Sequence, residues 1–272
     1  MTDTNRGTAF RALHQKGNPF ILANAWDIGS AKMLAALGAE AIATSSAAHA
    51  FTLGRPDMGH VTRDEALAHA QDLVTAVDVP VSGDFENGFG DDPDACAETV
   101  KLAYEAGLAG ISIEDTALPA ATPYARDMAI ERIHAAAAAA RALPGDFVLV
   151  ARADGVMNGQ YDLAEAMARL KGYEEAGADC LYIPLPGSLN EQATICASTD
   201  LPVNALAAGP FTQHSRADFA KAGVARISLG SALARATHRV IFDAAHGMFA
   251  DGDFSLLGKG ISGDKIDALL KD

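Results

Sequence analysis

Basic charge is what this chain has least of. Its 21 Lys and Arg stand against 35 Asp and Glu, a formal net charge of −14. Neither a phosphate backbone nor an acidic headgroup layer would be attracted, so no nucleic acid and no membrane is expected as a partner. Cysteine is scarce: Cys96, Cys180 and Cys196 are the only three, an odd and scattered set that reads as buried thiols rather than disulfides or metal ligands. The polar start Met1 to Gly7 is followed by no apolar run suited to export or to spanning a bilayer, and the expectation is a cytoplasmic protein. No Pro/Ser linker or low-complexity tract divides the chain, apart from the helix-forming run Ala135 to Ala140. A single domain over residues 1–272 is therefore expected. Aromatics amount to 6%, while 49% of residues are hydrophobic and 25 are Gly, a balance suited to a sheet buried on both faces beneath Ala-rich helices.

Apolar runs alternate with amphipathic stretches along the whole chain. Strands are predicted at Phe20 to Ala25, Ala41 to Ser45, Val79 to Asp84, Gly110 to Glu114, Phe147 to Arg152, Cys180 to Leu185, Val203 to Leu206 and Ala225 to Leu229. Between them, helices are predicted at Ile28 to Leu37, Arg63 to Val77, Pro93 to Ala106, Ala125 to Ala142, Leu163 to Ala176 and Ser215 to Ala222. The phrases Ala36-Leu37-Gly38, Glu105-Ala106-Gly107, Glu175-Ala176-Gly177 and Lys221-Ala222-Gly223 recur before strands, as Gly closes helices. Strict alternation over about 250 residues argues for an α/β fold of the (β/α)₈ TIM-barrel type, with additional C-terminal helices at Ala232 to Phe249 and Gly263 to Leu270.

Such barrels carry chemistry at the carboxyl ends of their strands. There the third predicted strand runs into Asp84 and Glu86, which are two residues apart and expected on one face, and the fourth ends in Glu114 and Asp115. Anions gathered at adjacent strand ends repel one another, and a hard divalent cation, Mg²⁺ or Mn²⁺, would relieve the repulsion. Arg152 ends the fifth strand as an anion clamp, with an internal ion pair to Glu114 or Asp154 as the plainer alternative. Ser45 and Ser46 could cradle an anion or simply turn the chain. The strand-end candidates for substrate contact are Trp26, Ser45, Ser46, Ala47, Arg152 and Asn204. The implied substrate is a small anion.

Taken in order, Asn24-Ala25-Trp26-Asp27, Thr44-Ser45-Ser46, Leu53-Gly54-Arg55-Pro56-Asp57, Gly83-Asp84-Phe85-Glu86-Asn87-Gly88-Phe89-Gly90, Ile113-Glu114-Asp115, Ala151-Arg152-Ala153-Asp154 and Ser228-Leu229-Gly230 resemble the phosphoenolpyruvate mutase/isocitrate lyase superfamily over nearly the whole chain. The resemblance implies that Asp57, Asp84, Glu86 and Glu114 hold Mg²⁺ directly or through water, and that Ser45, Ser46 and Arg152 grip a substrate carboxylate. It further implies 2-oxo or 2-hydroxy acid substrates, an enolate of pyruvate type stabilised by the metal, and a homodimer or homotetramer built by exchange of the last barrel helix.

The loop Asp115 to Arg126 departs from the better-known members. It lacks the Lys-Cys pair and Gly-His of the isocitrate and methylisocitrate lyases, and the Lys and Asn of the mutase; Pro184-Leu185-Pro186 stands where the mutase has a His. The expected activity is a Mg²⁺-dependent C–C lyase working by decarboxylation or retro-aldol cleavage, with Arg152 and Glu114 in catalytic positions. Tyr124 is the loop's candidate proton donor, and His49 and His60 are more remote ones. A phosphonate-handling mutase or hydrolase is the alternative within enzymes. A non-catalytic carboxylate-binding barrel is the alternative outside them, and a phosphate site at Ala208-Gly209 and Gly230-Ser231 ranks last.

Overall fold

A computed structural model describes residues 3–271. In chain order the strands are β1 (Phe20–Asn24), β2 (Ala41–Ala43), β3 (Val81–Asp84), β4 (Gly110–Glu114), the small hairpin of β5 (Thr116–Ala117) and β6 (Thr122–Pro123), then β7 (Val148–Arg152), β8 (Cys180–Tyr182), β9 (Val203–Leu206) and β10 (Arg226–Ser228). Eight of them close a parallel barrel in the order β1-β2-β3-β4-β7-β8-β9-β10. The helices are α1 (Asp3–Leu13), α2 (Ile28–Ala36), α3 (Ser46–Thr52), α4 (Arg63–Ala76), α5 (Pro93–Glu105), α6 (Arg126–Ala142), α7 (Leu163–Glu175), α8 (Leu189–Ala197), α9 (Arg216–Lys221), α10 (Ala232–Asp251) and α11 (Gly263–Leu270). Gly38, Gly107, Gly177 and Gly223 end the four repeated phrases with φ between +83° and +100°, the left-handed region that stops a helix and turns the chain into the next strand.

Strand alternation divides the interior into two parts. Outward side chains such as Ile42, Ile111, Ile113, Leu149, Leu181 and Ile227 pack beneath the helices, whereas Phe20, Leu22, Ala41, Ala43, Val148, Val150 and Cys180 fill the barrel itself. Two-sided burial is why the strands read as continuous apolar runs. α1 belongs to no predicted element, yet its Phe10 is fully buried in the inner cluster, edge-on to Phe20 at 6.0 Å. Arg11 fastens that helix to Asp146, Asp179 and the Phe147 carbonyl oxygen, and Arg6 fastens it to the carbonyl oxygens of Val74 and Val77. These contacts lie just before the strands, at the amino-terminal end of the barrel. All three cysteines are buried and unpaired.

At the other end of the chain, only Ala234 and Ala244 are buried in α10, while Val240, Ile241, Phe242 and Phe249 are exposed. Among the described residues no helix is long and apolar enough to cross a membrane.

Candidate active site

The same alternation that fills the lower barrel with apolar groups makes its upper interior polar. Asn24, Ser82, Asp84, Ser112, Glu114, Arg152, Tyr182, Asn204, Arg226 and Ser228 all occupy inward positions, at the same parity as Phe20, Leu22, Val148 and Cys180. Arg152 is central. Its Nε and Nη2 donate to the two oxygens of Asp154 at 2.5 and 2.7 Å, a fork-to-fork pair, and its Nη1 lies 3.1 Å from Asp84 Oδ1 and 3.3 Å from Glu114 Oε2. Burial opposes the guanidinium charge, but Asp154, Glu114 and Asp84 outweigh it and hold the pKa well above the ordinary arginine value. The internal pair is therefore present, and it takes the bidentate edge that a substrate carboxylate was expected to use. Only the Nη1 corner faces the acids and the cavity lined by Asp84, Ser112 and Tyr182.

Asp84 is held just as closely. Its Oδ2 accepts from the Ser46 amide at 3.0 Å and the Ser46 hydroxyl at 2.9 Å, and its own amide donates to Thr44 Oγ1 at 2.8 Å. Ser46 thus orients an acid. Ser45 spends its hydroxyl oxygen capping α3 through the Ala48 amide, and Ala47 is buried in the first turn of that helix. Asn24 accepts from the Leu229 and Gly230 amides, tying the end of β1 to the end of β10.

Glu86 does not reach the site by strand alternation. β3 ends at Asp84, and Glu86 sits in the following turn at φ +46°, with its Oε1 accepting from the Gly59 amide at 3.0 Å. Gly88 makes that turn possible, at φ +79° and with Cys96 Sγ only 2.9 Å from where a Cβ would stand. Arg132 on α6 holds the turn in place through the carbonyl oxygens of Asn87, Gly90 and Asp91. The Asp57 carboxylate caps the Met58 amide at the rim. Burial raises the pKa of Asp57 and Glu114, and that of Glu86 to about 7, with repulsion from Asp84 adding to each. Asp84 is thus the negative charge that Asp57, Glu86 and Glu114 all feel. Among the described residues, however, no three His, Cys, Asp or Glu side chains converge as a ready-made metal cage, because Ser46 and Arg152 draw the carboxylate of Asp84 to themselves.

Three further expected residues lie outside this cluster. The Tyr124 hydroxyl donates to Asp91 at 2.5 Å and accepts from Asn87 at 2.9 Å, its ring lies over Arg132, and burial with the Asp91 bond pushes its pKa to about 12. It braces the turn below Glu86 and makes no contact with Arg152. Trp26 is half-buried at the end of β1, its carbonyl oxygen facing His69, and it does not line the central cavity. Asn204 is fully buried, donating to Ser228 and accepting from Arg226. Asp115 is also structural, accepting from Tyr161, Tyr173, Arg169 and the Asp154 amide, so it fixes the loop that carries the partner of Arg152. Ser112, Tyr182 and Arg226 were not among the expected site residues; alternate-residue parity along each strand is the signal that marks them.

The phosphoenolpyruvate phosphomutase family model matches residues 10–249. This chain belongs to the phosphoenolpyruvate mutase/isocitrate lyase superfamily. By that membership it is an enzyme of the lyase type. A crystal structure from Burkholderia cenocepacia J2315, provisionally described as a lyase/mutase, is 44% identical and covers 99% of this chain and 97% of its own, with a TM-score of 0.94. An oxaloacetate decarboxylase from Rhodopseudomonas palustris (strain BisB18) is 31% identical over 89% of this chain and 85% of its own. A 2,3-dimethylmalate lyase from Eubacterium barkeri is 32% identical over 70% of this chain and 67% of its own.

The raised Glu86 has a measurable consequence. Its folded-state pKa of about 7 lies above the ordinary 4.5, so the native protein keeps a proton that the unfolded chain has already lost. Stability is then expected to fall as pH rises from about 4.5 through 7, and the full penalty to persist above that range. With divalent cations chelated, Glu86→Gln should stabilise the protein at pH 8 by up to about 3 kcal/mol and leave it nearly unchanged at pH 4.5. Urea unfolding at both pH values checks this, and an equal gain at the two would contradict it.

Proposed function

We propose that this protein is a Mg²⁺- or Mn²⁺-dependent lyase that cleaves a C–C bond in a small 2-oxo or 2-hydroxy carboxylate, by decarboxylation or retro-aldol cleavage. The observation that carries this reading is the Nη1 corner of Arg152, presented beside Asp84 and Glu114 at the barrel's inner mouth while Asp154 holds the rest of the guanidinium rigid. The oxygen-only donor set suits a hard cation. Mg²⁺ keeps several waters and takes one or two carboxylates, which fits acids spread round a cleft better than a closed cage would. Asp57, Asp84, Glu86 and Glu114 would hold the ion directly or through water, and when bound it supplies Lewis-acid polarisation of a carbonyl.

The remaining chemistry falls to the chain. In a decarboxylation, CO₂ leaves as the C–C bond of the 2-oxo acid breaks, its electron pair moves toward the 2-oxo oxygen so that negative charge grows there, and the resulting enolate takes a proton from solvent. Arg152, already oriented and desolvated, stabilises that charge without reorganising. Asp154 keeps the guanidinium from swinging, and Asp115 keeps Asp154 in register. The β5–β6 hairpin brings no Lys, Cys or His to the cluster, and the hydroxyl of Tyr124 is engaged elsewhere. Decarboxylation of a 2-oxo acid, whose bond-breaking step asks for charge stabilisation rather than removal of a hydroxyl proton, is therefore favoured over retro-aldol cleavage. The decarboxylase and lyase relatives support the same reading and weigh against phosphonate chemistry.

A screen with Mg²⁺ following pyruvate release from oxaloacetate, substituted malates, methylisocitrate and phosphonopyruvate tests it. Pyruvate is expected from one of the carbon acids. Pyruvate with inorganic phosphate from phosphonopyruvate alone would overturn the choice in favour of a phosphonate hydrolase, and silence on all of them, with metal bound, would favour a carboxylate-binding barrel.

The exposed apolar residues of α10 support a homo-oligomer, because Val240, Ile241, Phe242 and Phe249 form more bare apolar surface than an isolated helix should leave in water. Light scattering is expected to give a multiple of 28.1 kDa; the monomer mass at micromolar concentration would exclude it.

A further inference from the structure

Among the described residues, Arg226 is the inward-pointing charge that the reading above leaves without a task. It is 4% exposed, at the start of β10, with its Nε donating to Asn204 Oδ1 at 3.0 Å and its Nη1 buried without any partner. The other guanidiniums buried at the site are satisfied: Arg152 by Asp154, Asp84 and Glu114, Arg169 by Asp115 and Glu165. Burial pushes its pKa below the ordinary value and the like charge of Arg152 adds to that, against the pull of Cys180, Tyr182 and Asp84. A buried cation with unsatisfied donors costs several kcal/mol unless an anion completes it.

The space in front of it is suited to such an anion. Arg226 lines the same cavity as Arg152 and Asp84, together with Ser112, Tyr182 and Ser228, so two guanidiniums and several hydroxyls face a single carboxylate there, and Arg152 already holds that carboxylate. Its volume is about 30 Å³, which admits a carboxylate-sized group and little more. Asn204 pins the guanidinium from below, and Ser228 in turn accepts from Asn204 at 2.9 Å, so the donor is fixed before any ligand arrives.

We propose that Arg226 is a specificity-determining residue, the anchor of an anion subsite in the cavity that Arg152 and Asp84 also line, which takes a second, distal carboxylate of the substrate while the reacting end lies outside it at the Nη1 corner of Arg152 and the acid cluster. This rests on the lyase reading for the position of the reacting end. It assigns Asn204, one of the expected substrate contacts, the work of positioning Arg226 instead.

Malate and lactate make a matched pair of probes, since they share the 2-hydroxy acid end and differ by the distal carboxylate. Calorimetric titration in Mg²⁺ should show the wild type binding malate at least about tenfold more tightly than lactate, the usual worth of a charge-assisted hydrogen bond. Arg226→Met should bring the two affinities to within about twofold of each other by weakening malate alone. Its melting temperature should not fall, because an uncompensated buried charge is being replaced by an apolar group of similar length. Arg226→Lys, which keeps the charge, should retain part of the preference and covers the case in which the Met variant does not fold. An unchanged malate-to-lactate ratio in the variants, or no preference in the wild type, would overturn the subsite. The two readings fail separately: an Arg226-dependent preference without turnover of any 2-oxo acid would count against the lyase alone, and turnover with no such preference would count against the subsite alone.

Discussion

Arg152→Ala is expected to lower kcat/KM by about a hundred- to a thousandfold, and Arg152→Lys to do nearly the same. The reason is the number of directions in which the guanidinium is used. One edge spans both oxygens of Asp154 at 2.5 and 2.7 Å, and the opposite corner reaches Asp84 at 3.1 Å and Glu114 at 3.3 Å. A lysine ammonium is a point charge on a flexible stem, and it cannot cover a planar fork on one side and two acids on the other. Either substitution also strands Asp154, whose side chain is 2% exposed. Activity should therefore be measured on the substrate found in the screen, with circular dichroism confirming that the variant is folded. A lysine variant retaining more than half of the wild-type rate would remove Arg152 from the mechanism.

The second large effect concerns Asp84. Mg²⁺ at a hundredfold excess over its dissociation constant should stabilise the wild type by about 2.7 kcal/mol, and Asp84→Ala should abolish both that gain and turnover. Asp84 is the acid whose carboxylate already gathers the Ser46 amide and hydroxyl on one oxygen and Arg152 on the other. Its loss would unseat Arg152 and the start of α3 as well as a metal. Melting temperature and activity are to be compared in excess EDTA and in millimolar Mg²⁺. Identical values in the two, for the wild type, would sink the metal assignment.

Apolar runs separated by Gly-stopped helices announced the barrel, and each of its eight strands begins within two residues of its predicted start. Local sequence suffices there because a two-sided strand must be apolar throughout and a helix must end where Gly permits a left-handed turn. The acids Asp84 and Glu114 and the cation Arg152 were legible for the same reason: a charge closing an apolar strand has nowhere to lie except the barrel mouth. What those charges do to one another was legible only as alternatives, an anion clamp or an internal ion pair of Arg152 with Glu114 or Asp154. That Asp154 takes the fork of Arg152, that Ser46 serves Asp84 and that Tyr124 braces Asp91 depend on neighbours 2 to 38 positions apart in the chain. Glu86 shows the limit most plainly, since two-residue spacing promised a shared strand face and the chain instead leaves the strand and turns back through a left-handed residue. α1 carries no strong local signal and is held by what Phe10 and Arg11 find on the barrel. Arg226 is a single basic residue in an apolar strand until eight strands close around it. Composition and periodicity by themselves determined the architecture and the sign of the charges at its mouth. Only the closed barrel decided which charge is paired, because pairing follows from distance and burial, and those exist only once the strands have met.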